Sequence, residues 1–161
     1  MSYVGSATIE IHREDIRSPV ATSLILALNA ELSTRYAEEG ANHFRLDPDE
    51  VVAGRGAFFV AYANGKPTGC GAIRRLNDDT AEIKRMYVTP NNRGRGVGRA
   101  ILLALETESR RLGVNRIVLE TGERQPDALA LYARAGFERI PAFGEYIESP
   151  LSVCMAKKLA S

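Results

Sequence analysis

Apolar positions recur along this chain with two different periods, and the places where the period changes mark out its elements. Residues 7–12 alternate apolar and polar, as a half-buried strand does, whereas residues 19–33 place Leu24, Leu28 and Leu32 on one helical face. Asp47-Pro48-Asp49-Glu50 carries a helix start, with an N-cap, a proline in the first turn and an acid three residues after the cap, and predicts a short second helix. Residues 57–63 and 68–76 are strand-like and flank Asn64-Gly65, a strong signal for a two-residue hairpin. Asn77-Asp78-Asp79 turns the chain again into a strand over residues 81–88, so three consecutive antiparallel strands are expected.

Further along, Val97, Ile101, Ala104, Leu105 and Leu112 form one helical stripe that Gly113 stops. Residues 116–120 form a short buried strand, residues 126–135 a helix opened by Pro126 and ended by Gly136. Residues 138–140 and 152–158 complete a sheet across a loop at residues 141–150. The order is that of an α/β chain, in one domain over residues 1–161 with no internal repeat.

The strand at residues 81–88 leads straight into Thr89-Pro90-Asn91-Asn92-Arg93-Gly94-Arg95-Gly96-Val97-Gly98-Arg99. Closely spaced glycines let a backbone approach a ligand and aim successive N–H groups at one anion, with a helix N-terminus behind them. Arg93, Arg95 and Arg99 add positive charge around the same turn. A P-loop is excluded, because Gly98 is followed by Arg99 and Ala100 and not by Lys and Ser or Thr. A dinucleotide fingerprint also fails, since the glycines read G-x-G-x-G.

The spacing Arg93-x-x-Gly96-x-Gly98 resembles the pyrophosphate-binding signature, Q/R-x-x-G-x-G/A, of the GNAT superfamily of acyl-CoA-dependent N-acetyltransferases. The resemblance extends upstream to Glu82, eleven positions before Arg93, and downstream through Ala128-x-x-Leu131-Tyr132 to Gly136-Phe137. It implies a GNAT fold, a mixed and mostly antiparallel sheet of roughly six or seven strands flanked by roughly four helices. It also implies acetyl-CoA as co-substrate and direct transfer of the acetyl group to a primary amine of a small molecule, an amino acid or other amine. Two alternatives stay open: a protein or peptide N-acetyltransferase, and an acyl-CoA-binding module without catalysis.

Residue by residue, the resemblance implies Glu82 as general base and Tyr132 as general acid toward the departing thiolate. A phenol, with an ordinary pKa near 10, holds the proton that this role needs. Cofactor contacts are implied for Met86, Tyr87 and Val88 at the strand end, for Arg93, Gly94, Arg95, Gly96, Val97, Gly98 and Arg99 in the turn, and for Gln125 and Tyr132 beyond it. Gln125 stands where the family commonly has Asn, keeping the amide on a longer arm. Strand alternation fails at Met86-Tyr87-Val88, through burial of both faces or through a bulge. A bulge would free backbone N–H groups for the pantetheine arm and the thioester oxygen.

The acceptor side is implied to lie between residues 35–46 and 141–151, giving Tyr36, Phe44 and Tyr146, together with Glu120, as candidate substrate-binding residues. Glu120 also competes with Glu82 as base, and Glu123 is a further carboxylate. Family habit implies a homodimer.

Bulk properties narrow the class without choosing the acceptor. The chain has 161 residues, 45% hydrophobic and 25% charged, with 21 Lys plus Arg against 20 acids, so no global basic field favours nucleic acid. No apolar run approaches membrane-spanning length and the first residues do not form a leader, so a cytoplasmic protein with no membrane partner is expected. Cys70 and Cys154 are far apart and fit buried, reduced thiols; His12 and His43 are isolated, and no metal site is expected.

Overall fold

A computed structural model describes residues 8–36 and 46–160. Seven strands form one sheet in the order β1-β2-β3-β4-β5-β7-β6: β1 (Ile9–Arg13), β2 (Gly56–Ala63), β3 (Lys66–Arg75), β4 (Thr80–Val88), β5 (Arg116–Gly122), β6 (Glu138–Ile140) and β7 (Ser152–Lys158). Every neighbouring pair is antiparallel except β4 and β5, which run parallel. The Asn64-Gly65 turn has both residues at positive φ, 53° and 77°, the conformation that matches a two-residue turn to strand twist.

Three α-helices cover the sheet among the described residues: α1 (Pro19–Arg35), α2 (Val97–Arg111) and α3 (Pro126–Arg134). Helix α1 starts at Ser18, whose side chain accepts from the Ala21 N–H at 3.1 Å. It packs Ala21, Leu24 and Leu28 against Phe58, Val60, Ala72 and Tyr87 on one face of the sheet. On the other face, Ile101, Leu102 and Leu105 of α2 pack with Ala57, Ile73, Ile83 and Leu119. Sheet strands that alternate their side chains between two buried faces therefore carry two separate apolar layers.

The expected second helix is a single 3-10 turn, Pro48–Val51, beside the three α-helices of the described residues. Its start forms as the sequence requires, with the Asp47 N–H donating to Glu50 Oε1 at 3.0 Å. It ends where Val52 turns extended, with ψ 158°, and a turn through Gly54, at φ 89°, then leads into β2. Among the described residues no helix is long and apolar enough to cross a membrane.

Candidate active site

Parallel pairing of β4 with β5 runs from Thr80/Arg116 to Ile83/Leu119 and stops, although both strands continue, to Val88 and Gly122. A wedge opens where the ladder ends. Residues on both sides of it, Ile83 to Val88 and Glu120 to Thr121, line a cleft of about 1240 Å³. That volume exceeds the ~300–1,000 Å³ usual for a drug-sized ligand and leaves room for two reactants.

The divergence has a local cause in β4. Pairing with β3 slips between Ala72↔Lys84 and Cys70↔Tyr87, so Arg85 and Met86 together face Gly71 in a β-bulge. Arg85 sits at φ 58°, which a non-glycine residue rarely adopts. Helix α1 holds it there: the Arg85 guanidinium donates to Asn29 Oδ1 and to the Ile25 carbonyl, and the Cys70 thiol donates to the Arg85 carbonyl at 3.3 Å. The bulge foreseen from the failed alternation is present, and it turns Met86 and Val88 toward α2 and Tyr87 toward α1.

Beyond Val88 the glycine turn forms one wall. Gly94 and Gly96 have φ of 76° and 87°, and Gly96 caps α2 with no side chain of its own. The first N–H groups of a helix have no intrahelical acceptor, so this end of α2 offers several donors to an anion in the cleft. Gly98 answers a different need, because a Cβ there would stand 2.9 Å from Leu131 of α3. Gly94, Gly96, Val97, Gly98 and Arg99 all line the cleft, whereas Arg95 does not. Arg93 lines it with its guanidinium already engaged, donating to the Val88 carbonyl at 2.9 Å and pairing with Glu31 of α1 at 2.7 Å. Its side chain ties strand, turn and α1 together. Gln125 and Tyr132 complete this half of the lining from α3 and the residue before it.

At the other end of the cleft Glu120 projects from β5. The Ser152 hydroxyl donates to Glu120 Oε2 at 2.7 Å, and Ser152 in turn lies 2.8 Å from the Ser149 hydroxyl. Burial pushes the Glu120 carboxyl up to about 7; the Ser152 hydrogen bond opposes the rise, the charge of Glu82 adds to it and that of Lys84 subtracts. Tyr132 is buried against Phe137, ring centroids 5.8 Å apart, and its phenol is raised by burial and by Glu120, so it stays protonated. Lys84, not singled out in the sequence, also lines the cleft; its Nζ is buried and has no hydrogen-bond partner, and burial lowers its pKa.

Tyr36 and Tyr146 line the same end. The Tyr36 hydroxyl accepts from the Arg124 N–H at 3.2 Å, which pins the end of α1 to the β5–α3 loop. Phe44 lies outside the described residues.

Glu82 is placed differently from the other expected site residues. It is 1% exposed, is not part of the cleft lining, and has both oxygens occupied. Oε1 accepts from Arg74 Nε at 3.0 Å and from a second Arg74 nitrogen at 2.7 Å, and Oε2 accepts from the Tyr146 hydroxyl at 2.7 Å. Arg74 continues the chain of contacts to Glu50 at 2.6 Å. Glu82 thus joins β3, β4, the 3-10 turn and the loop before β7 behind the Glu120 end of the cleft.

Comparison with known proteins agrees with this architecture. The family model described as the acetyltransferase (GNAT) family matches residues 24–137. The chain is 37% identical over 152 residues to the IAA acetyltransferase of Azospirillum brasilense, covering 94% of this chain and 98% of that one. A Klebsiella pneumoniae structure described as an acyl-CoA N-acyltransferase superposes with a TM-score of 0.80 at 32% identity, over 94% and 98% of the two chains. A GNAT family acetyltransferase from Elizabethkingia anophelis, solved with acetyl-CoA bound, shares the fold at a TM-score of 0.66 and 20% identity, over 94% and 98%.

Proposed function

The chain belongs to the acetyltransferase (GNAT) family and is an acetyl-CoA-dependent N-acetyltransferase; from that premise we propose that it acetylates the primary amine of a small molecule directly, with Glu120 as the general base. The observation that carries the reading is Glu120 itself, a carboxylate in the cleft wall whose pKa of about 7 matches the pH at which a base must both exist ionised and accept a proton.

Acetyl-CoA supplies an acetyl group already activated as a thioester. The residues present fit it: the N–H groups around Gly94, Gly96 and Gly98 and the charge of Arg99 suit a pyrophosphate, and the β4 edge freed at the bulge suits an amide-bearing arm. On this reading the N–H groups of the β4 end near Tyr87 and Val88 carry the negative charge that develops on the carbonyl oxygen. Glu120 removes a proton from the acceptor amine, and Ser152 orients the carboxylate for it. Tyr132, protonated and lining the cleft, delivers a proton to the departing sulfur. Glu82 holds the acceptor wall through Arg74 and Tyr146 and acts as a positioning residue. Tyr36 and Tyr146 narrow that end, which favours a small acceptor over a peptide. A cytoplasmic setting suits Cys70 and Cys154, both buried free thiols.

The test is coenzyme A thiol release from acetyl-CoA across amino acids, polyamines, aromatic amines and short peptides. Acceptor-dependent release with small amines is expected, and Glu120→Gln lowers it by about 100-fold or more while acetyl-CoA binding persists. Full activity in Glu120→Gln, or release only with peptides, would overturn the reading.

A further inference from the structure

Lys84 and Glu120 occupy corresponding positions on the two strands that diverge. The register pairs Glu82 with Val118 and Ile83 with Leu119, so the next pair in line is Lys84 with Glu120, at the point where the ladder ends. Alternation puts Lys84 on the same face as Glu82, and Glu120 on the same face as Val118. The two side chains thus stand on one face of the sheet, on either side of the wedge mouth. Both line the cleft, and the Lys84 charge lowers the Glu120 pKa, yet the two do not hydrogen-bond to one another.

The Lys84 ammonium is the unusual member of this pair. The residue is 6% exposed, and Nζ has no hydrogen-bond partner although Glu82 is two residues away on the same strand. Glu82 is taken by Arg74 and Tyr146, which removes the nearest carboxylate as an acceptor. A buried ammonium with three donors and no acceptor is costly, and a ligand that supplies a carboxylate recovers that cost on binding. The surroundings limit the ligand's charge. Glu145 and Glu50 also contribute negative field at Lys84, so a single carboxylate is tolerated better than a dianionic phosphate.

Resting on the reading of Glu120 as the base, we infer that the acceptor is an α-amino acid, its carboxylate held by the Lys84 Nζ while its amine faces Glu120. Amine and carboxylate are attached to one carbon in such a molecule, so a single acceptor can present one group to each side chain. Lys84 is then the residue that selects amino acids over plain amines.

The experiment measures kcat/KM for matched pairs, each an amino acid and its decarboxylated amine: alanine and ethylamine, methionine and 3-(methylthio)propylamine, phenylalanine and phenethylamine. Lys84→Met is expected to lower the amino-acid to amine ratio at least about tenfold, through a higher KM for the amino acid, because a charge-assisted hydrogen bond is lost. The amine members share only the smaller loss that follows when removal of the Lys84 charge lets the Glu120 pKa rise, so the ratio within each pair reads the carboxylate contact, a pattern that general damage to the fold does not produce. Lys84→Arg recovers part of the ratio. An unchanged ratio in Lys84→Met, or equal loss on both members of each pair, overturns the inference and leaves the small-amine reading standing. Absence of transfer to either member of any pair in the wild type, with acetyl-CoA binding intact by calorimetry, overturns the small-amine reading and the inference with it.

Discussion

The Ser152 hydroxyl donates a 2.7 Å hydrogen bond to Glu120, and it is the strongest influence holding the carboxyl down against the upward push of burial. Removing a donor to the ionised form raises a carboxyl further. Ser152→Ala is therefore expected to move the pKa that governs the acidic limb of kcat/KM upward from about 7 by roughly one unit. At pH 7 the variant loses several-fold in rate, and at pH 9 it regains the wild-type value. A pH profile of kcat/KM checks this; an unmoved acidic limb would show that another group sets it.

The same carboxyl links stability to pH in a direction opposite to that of an ordinary surface acid. Its folded pKa of about 7 lies above the usual 4.5, so between those values the folded state keeps a proton that the unfolded chain has released. Its contribution is most favourable below pH 4.5, declines as pH rises through the window, and settles above pH 7 as a penalty of about 3 kcal/mol. Glu120→Gln carries no such penalty. Urea unfolding at pH 5 and pH 8 should show the variant gaining on the wild type at the higher pH, and parallel behaviour at both would contradict a buried, titrating Glu120.

Glu82 predicts a contrasting pattern. Its carboxylate is fully occupied by Arg74 and Tyr146, and Glu82→Gln leaves the Arg74 guanidinium with Glu50 as its remaining acid. A stability loss of about 3 kcal/mol is expected, the low end for breaking a buried pair, because Glu50 keeps part of the compensation. The acidic limb of kcat/KM should move downward, because the Glu82 charge that raises the Glu120 carboxyl is removed, while transfer above pH 7 persists. A variant as stable as wild type but devoid of transfer would instead assign Glu82 the base role.

These two carboxylates also mark how far the sequence is legible. The elements, the hairpin at Asn64-Gly65 and the turn through Gly94 and Gly96 follow from period, propensity and backbone conformation, which are local properties. The Arg74–Glu82 pair was within reach too, because the two residues lie four positions either side of Asp78 and face one another across the β3–β4 hairpin. What no local pattern contains is the point where β4 and β5 part. That point brings Glu120, Lys84 and Tyr132 to one cleft and leaves Glu82 outside it. Arg93 illustrates the same boundary: its place in the turn is readable, but its partner Glu31 is supplied by α1, 62 residues away. The short second element shows the same boundary, because capping residues announce a start and say nothing of Val52, whose extended backbone ends it after one turn.

The cleft wall proposed to face the acceptor rests on a close approach between Gly122 and Tyr36. A Cβ on residue 122 would stand 1.8 Å from the Tyr36 hydroxyl oxygen and 2.6 Å from the ring carbon bearing it. Neither atom is the end of a flexible chain, because the hydroxyl accepts from the Arg124 N–H and the Arg124 guanidinium lies 5.5 Å from the ring centroid while donating to the Arg35 carbonyl. Gly122→Ala must therefore push the Tyr36 ring out and release the end of α1, at a cost of about 1–3 kcal/mol as for overpacked cores. Tyr36→Leu alone loses burial and one hydrogen bond. In the double variant the alanine meets no ring, so the loss should be smaller than the sum of the two single losses by about 1 kcal/mol or more. Urea denaturation of the four proteins measures that coupling. Acceptor KM should rise in Gly122→Ala while acetyl-CoA affinity holds, because the glycine turn at the far end of the cleft is untouched; additive losses would mean that Tyr36 leaves Gly122 freely and does not define the wall.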